Sequence, residues 1–153
     1  MIRLRETIID LAITLGWAIL FASIMLQYLY LPKYSLVATI LLAPPLENVI
    51  LLFSTSLLAG MLLIDPLKVV SAFIIAFATA LLIMFTALLS PVLLGTATGS
   101  YAGNAISTGA IGFIFGSVFP TATFTTLLGG FAGGILGEML HFDVKGQKIE
   151  ATK

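Results

Sequence analysis

No cysteine occurs anywhere in these 153 residues, so disulfide frameworks and thiolate metal centres are excluded, and the redox compartment leaves no mark on the chain. Histidine appears once, as His141, and a single imidazole cannot assemble a metal site. Charge is just as scarce. Lys and Arg number 7, Asp and Glu number 7, and together they make up 9% of the chain, against about 25% in ordinary soluble domains. With the two signs in balance there is no basic face to hold a phosphate backbone, so nucleic acid is not an expected partner. No nucleophile paired with a base, metal cluster or set of cofactor ligands stands out, which leads us to expect a chain that is not an enzyme and carries no cofactor.

What remains is apolar. Hydrophobic residues make up 59% of the chain and the mean hydropathy is +1.15, so lipid is the expected solvent. The uncharged run from Leu11 to Pro32 covers 22 residues, close to the roughly 20 needed to cross a hydrocarbon layer about 30 Å thick. It is too long for the core of a signal peptide and has no small-residue cleavage site, so it is expected to be a retained span. Tyr28, Tyr30 and Tyr34 stand where amphipathic rings suit the headgroup level.

From Tyr34 to Ile64 runs a 31-residue segment that would be about 46 Å long as one helix, too long for a simple crossing. Pro44 and Pro45 supply a break and put the second span at 45–64. Asp65-Pro66 is a helix-start signal, an acid able to accept free amides ahead of a proline at the first helical position, so the third span is expected over 66–89, ending near Ser90-Pro91. Residues 95–105, GTATGSYAGNA, have turn-forming composition and suggest a loop or a re-entrant segment.

The run from Ile106 to Leu140 is interrupted only by Glu138 and has Pro120 near its centre. It predicts a fourth span over 121–140, preceded by 106–119 as a re-entrant half-helix or a kinked extension, with 141–153 as a short polar tail. The expected fold is therefore an all-α integral membrane protein. It is a single polytopic domain of four transmembrane helices with a proline-broken, glycine-rich last helix. Four crossings gather Arg3, Arg5, Lys68, Lys145, Lys148 and Lys153 on one side and leave Lys33 alone on the other. That bias predicts cytoplasmic termini in a cell membrane.

Three groups of residues attract functional attention. Glu47 is the one acid between Tyr34 and Ile64, with Asn48 beside it. In a continuous helix it would be a buried acid, by default a functional site. In the first turn of a helix starting at Pro45 it would meet free amides and the positive end of the helix dipole. Ser107, Thr108 and Thr121 belong to a hydroxyl-rich region broken by glycines and Pro120, the kind of interrupted helix that can surround a solute at membrane depth. Gly129, Gly133 and Gly137 recur every four residues with Gly130 and Gly134 alongside, making one helix face nearly bare backbone that another helix can approach closely.

The segment APPLENVILLFSTSLLAG, residues 43–60, resembles the third transmembrane helix of cytochrome oxidase subunit III, where a proline-leucine-x-asparagine start leads into a leucine-rich helix with paired serines. The later glutamine-glutamate-tyrosine segment and the histidines of that subunit have no counterpart here. The same APPLEN, with the glycine-rich helix, resembles the CAAX-type intramembrane protease and bacteriocin-immunity family. That family's paired glutamates, downstream arginine and later histidines are missing too, which on this likeness implies a non-catalytic relative. Neither likeness assigns the chain.

The functional expectation is a small non-catalytic membrane subunit that packs through its glycine face into a homo-oligomer or a larger respiratory or transport complex. The alternative is an oligomeric channel or transporter for a small solute or ion, using the broken hydroxyl-rich region and Glu47.

Overall fold

The computed structural model describes residues 2–30, 46–96 and 99–150. Of these, 95% are helical and none is in a strand. The elements are α1 (Ile2–Tyr30), α2 (Leu46–Leu63), α3 (Pro66–Leu93), α4 (Ser100–Phe113), a π-wound segment (Ile114–Ala122) and α5 (Thr123–Glu150). Four helical stretches are long and apolar enough to cross a membrane: Arg5–Gln27, Leu46–Leu63, Pro66–Leu93 and Ser100–His141.

Helix boundaries follow local chemistry. Asp65 accepts the Leu67 amide at 2.9 Å and Pro66 opens α3, as the Asp-Pro pair leads one to expect. Before it, Ile64 ends α2 with φ +64°, a left-handed conformation that a β-branched residue rarely adopts. Its amide bonds the Gly60 carbonyl at 3.1 Å, closing the helix end.

Two boundaries differ from the sequence expectation. The third helix does not stop near Ser90-Pro91 but continues through the proline to Leu93. Proline removes the donor that the Ala87 carbonyl would take, and the Ser90 hydroxyl supplies it instead at 2.7 Å. The second difference is larger. Helix resumes at Ser100, inside the expected loop, and residues 100–150 form one unbroken helical run. Pro120 is absorbed by π winding, where each amide reaches further back than in an α-helix. The stretch 106–119 is thus a continuous extension of the last helix. The polar tail expected from 141 continues that helix to Glu150. Pro44, Pro45, the end of the first span at 31–32 and residues 151–153 lie outside the described residues.

Side-chain pairings fix the directions of the helices. Asp10 meets Lys68, Trp17 meets Phe73 and Phe21 meets Phe77, so α1 and α3 run parallel. Phe77 packs on Phe119 and Val92 approaches Gly103, while Val69 lies against Gly130 and Gly134; α3 is therefore antiparallel to the whole run from α4 to α5. Helices alternate in direction along the chain. The core consists of aromatic and small side chains, among them Trp17, Phe21, Phe73, Ala76, Ala80 and Ala122. Large apolar side chains such as Ile19, Leu62, Ile74, Leu82 and Phe124 face outward. Such a surface suits lipid contact on every side, whereas soluble monomers rarely expose contiguous apolar patches beyond a few hundred Å².

Candidate functional site

The closest approach in the bundle is between α2 and α5, which lie side by side and parallel. A Cβ built on Gly129 would come within 2.7 Å of the Phe53 carbonyl oxygen, and one on Gly137 within 2.6 Å of the Met61 oxygen. On Gly133 it would overlap the Leu57 carbonyl, and on Gly60, across the seam, that of Gly130. The contact advances one turn at a time, 53 with 129, 57 with 133 and 61 with 137, so the two helices share a register. Any side chain on these glycines would hold the backbones apart. All five glycines of the α5 row, 129, 130, 133, 134 and 137, are buried within this chain.

The second row is covered by side chains from α1 and α3. The Trp17 ring stands 2.8 Å from a Cβ built on Gly130, and Val69 stands 3.1 Å from one on Gly134. The Trp17 indole N–H donates to the Ser56 hydroxyl at 3.1 Å, and Ser56 in turn donates to the Leu52 carbonyl at 2.6 Å. This buried relay joins α1 to α2 across the glycine face. Trp17 is not among the residues singled out from the sequence. The signal that could have found its partner is Ser56, a hydroxyl within an apolar helix.

The polar candidates do not converge. Glu47 lies in the first turn of α2 and is exposed, whereas Asn48 turns inward, 8% exposed. Ser107 on α4 donates to the carbonyls of Gly103 and Asn104 on its own helix, and Thr108 is exposed. Thr121, in the π segment, lends its carbonyl to the Thr125 hydroxyl at 2.8 Å. Hydroxyls on the other helices behave the same way: Thr14, Thr55, Thr79 and Thr86 each bond the carbonyl four residues back. Two buried polar atoms among the described residues have no partner, the Asn48 side-chain nitrogen and the Thr126 hydroxyl.

Charged groups gather at one end. Lys68 and Asp10 form an ion pair at 3.1 Å. At the same end, Asp65, Glu138 and His141 line an open cleft of about 270 Å³ with Ile64 and Pro66. This cleft was not anticipated, although Glu138 and His141, three residues apart on one helix, share a face. His141 was expected beyond the last helical turn; it lies within α5, which continues past it.

Deeper in the bundle, a crevice lined by Trp17, Phe21, Phe73, Ala76, Phe77 and Thr126 is too narrow to admit water. Phe77 is nine residues beyond Lys68, about 13 Å along the helix, so the π segment, whose Phe119 packs on Phe77, lies midway along the apolar length of the bundle. Among the described residues, no group of three or more His, Asp or Glu side chains stands close enough to hold a metal ion. No family model, curated protein or solved structure matches this chain.

Proposed function

We propose that the chain is a small non-catalytic subunit of a cell membrane, spanning it four times with both termini in the cytoplasm. It acts as a rigid helical unit within a homo-oligomer or a larger membrane complex, such as a respiratory or transport assembly. The observation that carries this reading is the dry, backbone-tight centre of the bundle. Transport requires a wet path that opens to alternate sides. Here the middle is filled by aromatic rings against a seam where carbonyls touch glycines. Such a unit resists deformation and suits holding other subunits in place.

The glycine face is occupied by α2 and cannot also receive a partner, so assembly would use the lipid-facing sides of the helices. The orientation rests on the six-to-one distribution of Lys and Arg in the sequence. Purification in a gentle detergent, followed by mass spectrometry of the intact assembly, tests this reading. Co-purification with larger membrane subunits or recovery as a defined homo-oligomer is expected; a strictly monomeric protein that leaves every partner behind would overturn it.

A second reading, an oligomeric pathway for a small solute or ion, is favoured by one observation: the buried, unpartnered Asn48 amide within a candidate span. Polar groups placed so deep are costly and often functional. Flux into liposomes by the wild type, compared with Glu47→Gln and Asn48→Leu, decides it. Wild-type flux that falls in either variant supports the pathway; its absence for common ions and small solutes removes it.

A further inference from the structure

The two unpartnered buried atoms both lie beside the π segment. Thr126 follows its last residue by four positions, and the register of the seam sets Asn48 level with Phe124. Elsewhere in the helices a hydroxyl reaches the carbonyl four residues back, as Ser56, Ser107 and Thr125 do. For Thr126 that acceptor is Ala122, where the π winding ends, and the bond is not made. Just before it, Thr123 reaches five residues back to Val118, at 3.2 Å. A displaced hydrogen-bond ladder and an orphaned hydroxyl thus coincide. The crevice that Thr126 lines cannot hold water to pair it.

The π segment also separates a fixed half from a looser one. Below it, α5 is locked to α2 by direct backbone contact. Above it, a Cβ on Gly103 would find its nearest atom, in Val92, 3.9 Å away, and one on Gly109 would find nothing within 4 Å. At its other end α4 leaves a turn in which Gly95 and Gly99 adopt φ +69° and +106°, backbone that glycine enters readily.

We infer that Ile114–Ala122 is a winding switch that turns α4 about its own axis while α5 stays seated on α2. π winding takes more residues per turn than the 3.6 of an α-helix. Rewinding one turn therefore rotates everything beyond it by about one residue's worth, roughly 100°. In the α-wound state the Ala122 carbonyl comes into register for Thr126. Pro120 opposes that state, because α winding drives its ring against the Gly116 carbonyl and leaves that oxygen without a donor. Thr126 and Pro120 pull in opposite directions, and their balance sets the two populations. The rotation re-aims the exposed edge carrying Ser100, Asn104 and Thr108. It does so whether or not the chain assembles with a partner.

The absence of native cysteine makes the test direct. Nitroxide labels on Ile111→Cys of α4 and Leu82→Cys of α3, both exposed and set at similar height by the Phe77–Phe119 and Val92–Gly103 contacts, report the rotation of α4 in liposomes. Because the two labels lie side by side rather than far apart along one axis, two distance populations are expected, separated by up to about 8 Å, the chord of a 100° turn at the side-chain radius of a helix. Thr126→Val, which removes the hydroxyl at nearly constant shape, should collapse them toward the π-wound distance; Pro120→Ala should enrich the other. A single, unchanged distance in the wild type and Pro120→Ala overturns the switch. Should Pro120→Ala fail to fold, identical distributions in the wild type and Thr126→Val overturn it as well.

Discussion

Gly133 and Gly109 are the same residue type in one helical run, yet the structure assigns them opposite sensitivities. A methyl group on Gly133 meets the Leu57 backbone, which has no rotamer to yield, whereas Gly109 opens onto free space. Gly133→Ala should lose about 1–3 kcal/mol, the range for overpacking. Gly109→Ala should be neutral or gain up to about 1 kcal/mol from helix propensity. Thermal denaturation of the two variants in one detergent compares them directly. Ser56 offers a second test. Ser56→Ala leaves the Trp17 indole N–H buried without an acceptor, at a cost of about 1–3 kcal/mol. Because Trp17 is the only tryptophan, its fluorescence reports the change without interference.

Among the elements, charges and turn residues made most helix positions legible from sequence, because a charge is expensive inside the bundle and cheap at its end. Asp10, Asp65 and Glu138 mark these levels in both sequence and structure. What stayed hidden was how prolines would be accommodated. Pro91 looks like a stop until Ser90 is seen to replace its missing donor, and Pro120 looks like a break until the ladder is seen to lengthen around it. A proline announces that a donor is missing but not which neighbour makes good the loss. If Ser90 carries the last turn of α3, Ser90→Ala should fray residues 91–93, read as faster amide exchange at Val92 and Leu93 with the rest of α3 unchanged. The glycine row was likewise visible as a surface for close approach, but its partner was not. Small residues tell how near a neighbour comes, and only the fold shows that the neighbour is α2.

For the molecule as a whole, alternating helix directions and the gathering of Asp10, Lys68, Asp65, Glu138 and His141 at one end agree with a bundle whose two ends differ in polarity. If lysine and arginine set its orientation, cysteines introduced near Met1 and Lys153 should both resist a membrane-impermeant maleimide in intact cells and react once the membrane is opened. Labelling of either from outside would reverse or break the threading. The functional candidates were the least legible part. Glu47, Asn48, Ser107, Thr108 and Thr121 share a composition that suggests a common site, yet they are divided between the start of α2, α4 and the π segment. The Ser107 hydroxyl serves its own helix, a local hydrogen bond that composition cannot distinguish from a ligand contact.

The parallel seam between α2 and α5 also has a consequence for how the protein is made. Its two strips of backbone are far apart in the order of synthesis, so α2 emerges from the ribosome long before the helix that covers it. Until α5 is added, Ser56 and Gly60 stand without their final neighbour. A nascent chain stalled ahead of Gly129 is therefore an open half-structure, and completion of the bundle waits on the last stretch to be translated.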